Sequence, residues 1–189
     1  RFGGAVWDTV TPILKAHGHR CFTPTLKDEH TCNLTGHIQQ ICDLIINNNL
    51  QNIILVGHSY GGMIITGVAS KIPERIDRVV YLDADWPDPG QSLFDVLKLS
   101  GLDPEVAIPG LEPARAYVEK IQYNPEKAKS LKKFFIRCTE GDIAVFLDIV
   151  VKKIQTSNED WTLWNLPTIH VAQATMPEEL GKLLLKASL

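Results

Sequence analysis

The sequence predicts one α/β domain in which parallel strands are joined by crossover helices. Two observations lead to this prediction. Short apolar runs alternate with segments of helical periodicity along most of the chain. The central runs are apolar at successive positions, which is typical of strands covered on both faces. The length of 189 residues suits a single domain with a substantial core.

Four segments have the periodicity of helices. Residues 7–16 and 34–48 each place apolar side chains three and four positions apart, which gives the helix one apolar face. Residues 60–72 follow an apolar run directly. Residues 177–185 begin with Pro177, which favours the first turn of a helix.

Short apolar runs bounded by turn-forming residues are predicted to be strands. Between these runs, the alternation of strands and helices stops at about residues 86–131, where prolines separate short amphipathic pieces. We interpret this stretch as a cap insertion that lies over the strand ends. The predicted strands are residues 20–26, 52–56, 79–82, 134–138 and 161–166.

Composition and charge argue against several classes of function. The formal net charge is −3 and there is no run of Lys or Arg, so neither nucleic acid nor an anionic membrane is an expected partner. The apolar runs are too short to span a bilayer, and no secretory signal pattern is present. The four cysteines lack Cys-x-x-Cys spacing, which favours reduced thiols and a cytoplasmic protein. No metal or organic cofactor is predicted, and the oligomeric state is not indicated.

The motif Gly-His-Ser-Tyr-Gly at residues 57–61 carries the predicted chemistry. It follows an apolar strand and precedes a helix, the context of a nucleophile elbow, in which small residues let the backbone pass closely. We predict Ser59 as the nucleophile and the backbone N–H of Tyr60 as an oxyanion donor. A nucleotide-binding turn is disfavoured because Gly-x-Gly-x-x-Gly and Gly-Lys-Ser/Thr are both absent.

A serine nucleophile requires a base, and His170 is the only histidine after Ser59. It follows the last predicted strand and precedes the last helix, which fits the chain order serine, acid, histidine.

For the acid, Asp142 is favoured because it follows the strand at residues 134–138. Glu140, Asp83 and Asp85 remain alternatives, since each also lies at a strand end. An acid at a strand end is often a helix N-cap, and Asp142 could have that role instead.

The residues around these positions resemble the esterase and hydroxynitrile lyase branch of the α/β-hydrolase superfamily. The resemblance implies an α/β-hydrolase fold with helices on both faces of a mostly parallel sheet and a short cap insertion. In that family the acid follows Thr-x-x, a pattern that residues 139–142 match, so the resemblance supports Asp142. The motifs that carry it are at residues 3–7, 56–63, 72–76, 80–84, 87–92, 138–140 and 177–180.

The resemblance also implies features outside these motifs. The family's initial strand and its His-Gly oxyanion loop are expected before Arg1 and would supply a second oxyanion donor. The lyases of this branch resemble one another in carrying a lysine directly after the histidine. Val171 stands there instead, which favours an esterase.

The expected function is hydrolysis of small carboxylic esters through an acyl-enzyme, with Trp86, Leu93 and Phe94 as apolar pocket residues. Two alternatives remain open. One is a carbon–carbon lyase that uses the same triad, and the other is a non-catalytic ligand-binding protein on the same scaffold.

Overall fold

The computed structural model describes residues 3–108, 110–141 and 143–189. Within these ranges one four-stranded sheet is present, and all of its strands are parallel. Each strand pairs with the next one in the sequence, so every connection crosses over the sheet. The strands are β1 (Ile53–His58), β2 (Ile76–Leu82), β3 (Lys132–Cys138) and β4 (Trp161–Leu166).

The α/β prediction with a parallel sheet is therefore confirmed. The helices predicted at residues 34–48, 60–72 and 177–185 are present. The helix predicted at residues 7–16 is shorter and begins at Thr11, and a 3-10 turn (Gly4–Trp7) precedes it. The helices are α1 (Thr11–Ala16), α2 (Leu34–Asn47), α3 (Gly61–Lys71), α4 (Leu93–Lys98), α5 (Pro104–Ala107), α6 (Arg115–Val118), α7 (Ala144–Thr156), α8 (Ala172–Thr175) and α9 (Pro177–Ala187).

Two parts of the chain differ from the prediction. Residues 20–26 do not form a strand, because this segment makes no ladder of hydrogen bonds with the described part of the sheet. Helix α7 is missing from the predicted elements, although its buried apolar residues recur at helical spacing. Those residues are Phe146, Leu147, Val150, Val151 and Ile154.

Helices cover both faces of the sheet, and β2 shows how the sequence achieves this. Val79 and Tyr81 belong to the core cluster that includes α2, α3 and α7. Val80 and Leu82 belong to the cluster that includes α9. All four side chains are at most 2% exposed, because alternate residues of a strand point to opposite faces. In the ranges that the structure describes, no helix is long and apolar enough to cross a membrane.

Close backbone approach at the start of α3 requires glycine at Gly57 and Gly62. A Cβ on Gly57 would lie 2.6 Å from the carbonyl oxygen of Gly61, and one on Gly62 would lie 2.0 Å from that of Asp85. A Cβ on Gly61 would meet no atom within 4 Å. Of the two glycines in the motif at residues 57–61, Gly57 is therefore required for close backbone passage as predicted, whereas that prediction is wrong for Gly61.

This difference gives a matched pair of variants. We expect Gly62→Ala to lower the free energy of unfolding by about 3 kcal/mol, because its Cβ would force the backbone apart at Asp85. Gly61→Ala, its control, should change the free energy by less than about 1 kcal/mol. Urea denaturation of both variants measures the two values, and equal losses would contradict the packing described for Gly62.

Candidate active site

Ser59 lies on a sharp turn between β1, which ends at His58, and α3, which begins at Gly61. Its φ of 56° is in the left-handed region that residues other than glycine rarely adopt. The turn is held from both sides, since the Ser59 N–H donates to the Leu82 carbonyl at 3.2 Å and its carbonyl accepts from Gly62 N–H at 2.9 Å. A strained, well-anchored conformation of this kind is the geometry of a nucleophile elbow.

The start of α3 provides the electrostatic environment beside Ser59. Tyr60 is the N-cap residue of this 11-residue helix. The first N–H groups of a helix have no acceptor within it, and the helix dipole makes this end attractive to negative charge. The Tyr60 N–H is therefore placed at the positive end of α3, next to the serine.

His170 lies in the connection between β4 and α8, and Asp83 holds its ring. Its Nδ1 is 2.7 Å from Asp83 Oδ2. Because an ionised carboxylate can only accept, Nδ1 carries the hydrogen, and Nε2 keeps a lone pair that can take a proton. Asp83 is 2% exposed, and its other oxygen accepts from the Cys138 N–H at 2.8 Å.

His58 is a residue of this site that was not predicted. Its Nε2–H donates to the His170 carbonyl at 2.8 Å, and the two ring centroids are 4.5 Å apart. Burial, followed by the charge of His170, lowers the pKa of His58 to about 3, so it stays neutral and serves as a donor. Its place directly before Ser59 at the end of an apolar strand is the signal that could have identified it.

The four acids considered from the sequence have different positions. Asp142 lies outside the described residues. The Glu140 side chain is exposed and makes no hydrogen bond with the described residues, and Asp85 is 4% exposed but makes none with His170. Among the described acids, Asp83 is the one that contacts the histidine.

Asp85 gives the site a carboxyl group that titrates near neutral pH. Burial first, and then the charge of Asp83, raise its pKa to about 7, while His170 opposes the shift. When the pKa of a carboxyl is higher in the folded than in the unfolded chain, the folded protein loses stability as the pH rises from about 4 towards 7.

We therefore expect Asp85→Asn to become more stable relative to the native protein as the pH rises. Between pH 5 and pH 8 the difference in free energy of unfolding should change by about 2 kcal/mol in favour of the variant. Urea denaturation of both proteins at several pH values measures this change. Parallel pH profiles would show that Asp85 does not titrate in this range.

Ser59, Asp83, Asp85 and His170 all line one cavity of about 940 Å³. Ser59 Oγ and His170 Nε2 form no hydrogen bond with each other in the described structure, and such contacts often tighten only when substrate binds. Apolar side chains form another part of the wall, and the insertion and α7 contribute several of them. They include Leu97, Ile108, Leu111, Tyr117, Phe146 and Leu147.

Of the three predicted pocket residues, Leu93 lines this cavity, whereas Trp86 and Phe94 do not. Trp86 packs against Trp161, with ring centroids 4.8 Å apart, and its ring lies 4.2 Å from Lys153 Nζ. Phe94 is 6% exposed and belongs to the core. Both predictions are wrong because core packing, rather than the cavity, takes up these rings.

A serine raised on a turn from a strand to a helix, above a parallel sheet, defines the α/β-hydrolase class. A profile of the α/β hydrolase fold matches residues 4–102, more than half of the chain. The protein belongs to this family, which confirms the resemblance found in its sequence.

Curated relatives include enzymes named as esterases and hydrolases. The chain is 41% identical over 114 residues to a carbendazim hydrolyzing esterase of Nocardioides sp. (strain SG-4G), a match that covers 56% of this chain and 46% of that protein. It is 32% identical over 123 residues to Methylesterase 1 of Arabidopsis thaliana, covering 58% and 46%. The chain thus spans less than half the length of these relatives.

Solved structures agree on the fold. A pyrethroid hydrolase from Sphingobium faniae JZ-2 matches with a TM-score of 0.76 at 22% identity, over 98% of this chain and 93% of that one. Tomato Methylketone Synthase I matches with a TM-score of 0.78 at 18% identity, over 98% and 93%. At these identities the likeness shows the fold alone.

Proposed function

We propose that the protein hydrolyses carboxylic esters, with Ser59 as nucleophile, His170 as base and Asp83 as the acid that orients the base. One observation carries the proposal: Ser59 is held on a left-handed turn in the same cavity as His170, whose Nδ1 donates to the buried Asp83. The names of the esterase relatives support the reaction class.

In the acylation step, Ser59 Oγ attacks the ester carbonyl carbon while His170 Nε2 takes the hydroxyl proton. The carbonyl oxygen becomes an oxyanion that the Tyr60 N–H and the N-terminus of α3 stabilise. When the tetrahedral intermediate collapses, the bond to the leaving alkoxy group breaks. His170 returns the proton to that oxygen, and the alcohol leaves.

In the deacylation step, water replaces the alcohol and the same groups act again. His170 takes a proton from water, the hydroxide oxygen bonds to the acyl carbon, and the proton passes to Ser59 Oγ as the carboxylic acid is released. Asp83 stabilises the imidazolium form in both steps. Neither step requires a metal or an organic cofactor.

The cavity indicates a preference for esters with an apolar portion. Leu93 and Leu97 of α4, with Phe146 and Leu147 of α7, line the space that also contains Ser59. Binding of an apolar group there removes its surface from water, which stabilises the complex by about 25 cal/mol for each Å² buried. We therefore expect esters with larger alkyl or aryl groups to be better substrates than acetates.

A second oxyanion donor remains a prediction of the sequence. The cavity extends along the edge of β1 that pairs with no strand among the described residues, past Ile53 and Leu55, to the extended segment that contains Phe22 and Thr23.

Two other functions are distinguished by direct assay. A panel of p-nitrophenyl esters of increasing chain length tests hydrolysis, and cyanohydrin cleavage tests the lyase reaction. We expect hydrolysis only, because Val171, next to His170, cannot hold the charge of a cyanide leaving group. Cyanohydrin cleavage without ester hydrolysis would favour the lyase, and failure of both assays would favour a ligand-binding protein.

A further inference from the structure

Helix α2 places a fully enclosed histidine behind the nucleophile turn. His37 is 1% exposed, and both of its ring nitrogens have partners. Nε2 lies 2.9 Å from the Lys27 carbonyl oxygen, and Nδ1 lies 3.0 Å from the hydroxyl of Tyr60. The two rings also meet edge to face, with centroids 5.9 Å apart. His37 therefore joins a surface loop to the residue that follows Ser59.

The partners determine which nitrogen of His37 carries the hydrogen. A carbonyl oxygen can only accept, so Nε2–H donates to Lys27 and Nδ1 is left as an acceptor. The Tyr60 hydroxyl then donates to Nδ1. Burial lowers the pKa of His37 and raises that of Tyr60, so both stay neutral and the direction of these bonds is kept.

Tyr60 is restrained on a second side by Tyr117. The centroids of these rings are 4.9 Å apart at an interplanar angle of 70°, an edge-to-face arrangement. Tyr117 belongs to α6 in the insertion, and both tyrosines line the cavity. The Tyr60 side chain is thus clamped between α2 and the insertion, and the backbone N–H of the same residue is the proposed oxyanion donor.

We propose that His37 is a positioning residue, which fixes the Tyr60 side chain and thereby holds the Tyr60 peptide N–H in place for the transition state. The proposal rests on the esterase function proposed above. Because oxyanion contacts form fully only in the transition state, loss of this restraint lowers kcat and leaves KM nearly unchanged.

The test compares His37→Leu, which removes both bonds, with His37→Asn, whose Oδ1 can replace Nδ1 as the acceptor for Tyr60. The matched control is His30→Leu, because His30 is exposed and, among the described residues, its side chain makes no hydrogen bond while its backbone N–H donates to Asp28. Active sites are counted by fluorophosphonate titration, so that kcat refers to folded, reactive enzyme only. A p-nitrophenyl ester gives kcat and KM.

For His37→Leu we expect kcat per titrated site to fall about tenfold with KM within about twofold, less than the loss on removing an oxyanion donor. His37→Asn should recover most of the loss, and His30→Leu should match the native enzyme. Tyr60→Phe keeps the ring but removes the hydroxyl, and it should lower kcat by about as much as His37→Leu does. In the double variant the two effects should not add, because both changes break the same bond between His37 and Tyr60.

Unchanged kcat per titrated site in His37→Leu and Tyr60→Phe would overturn the proposal and leave the ester hydrolase function intact. If His37→Leu does not fold, Tyr60→Phe decides alone, since it removes only one hydroxyl. Native protein that neither titrates with fluorophosphonate nor cleaves esters would contradict the proposed function itself. The two failures are therefore distinguishable.

Discussion

Replacement of Ser59 by alanine should abolish ester hydrolysis while the protein stays folded. The expected loss in kcat/KM is about 10⁴-fold or more, as when the nucleophile of a catalytic triad is removed. The fold should persist because the anchors of the turn, to Leu82 and Gly62, use only the backbone of Ser59. Steady-state assays measure the loss, and circular dichroism verifies the fold.

Ser130→Ala is the matched control for this change. Ser130 is exposed and does not line the cavity that contains Ser59. We expect native activity from this control. If Ser59→Ala kept most of its activity, the nucleophile would have to be sought elsewhere.

The second large effect concerns the acid that holds His170. In Asp83→Asn the amide oxygen can still accept from the Cys138 N–H, which leaves the amide nitrogen facing His170. His170 Nδ1 must then accept, so the hydrogen moves to Nε2 and the ring cannot take a proton from Ser59. We expect kcat to fall about 10⁴-fold, the effect of a wrong tautomer in a triad.

Glu140→Gln and Asp142→Asn complete this comparison. Glu140 is exposed and its side chain makes no hydrogen bond with the described residues, so its variant should retain near-native kcat. Asp142 is the acid favoured by its position after Thr139 in the sequence. A large loss in Asp142→Asn together with a mild one in Asp83→Asn would transfer the role of acid to Asp142.

The elements that could be predicted from the sequence are those whose signals are local. The strand, turn and helix around Ser59 follow from an apolar run, two required glycines and a helical repeat, and the structure contains all of them. His170 is predicted from chain order and from its place between the last predicted strand and the last helix. The strand Trp161–Leu166 has its predicted bounds, because Asp160 and Pro167, which are rare inside strands, flank it.

The parts that could not be predicted depend on contacts between distant residues. Residues 20–26 have a strand-like composition, but strand formation requires a hydrogen-bonded neighbour that composition does not reveal. The pairing of Asp83 with His170 joins residues 87 positions apart. The strand order places the end of β2 between β1 and β3. Because all the strands are parallel, their carboxyl ends lie at one edge of the sheet, where Asp83 can reach the histidine that follows β4.

The central claim is that Ser59 forms the covalent bond to the acyl group, and mass spectrometry of a trapped adduct tests it most directly. Purified protein is incubated with a fluorophosphonate, and the labelled peptide is then sequenced. Our account predicts one adduct per chain, located on Ser59 and absent from Ser59→Ala. Labelling at another residue, or no adduct from protein that hydrolyses esters at normal enzymatic rates, would contradict it.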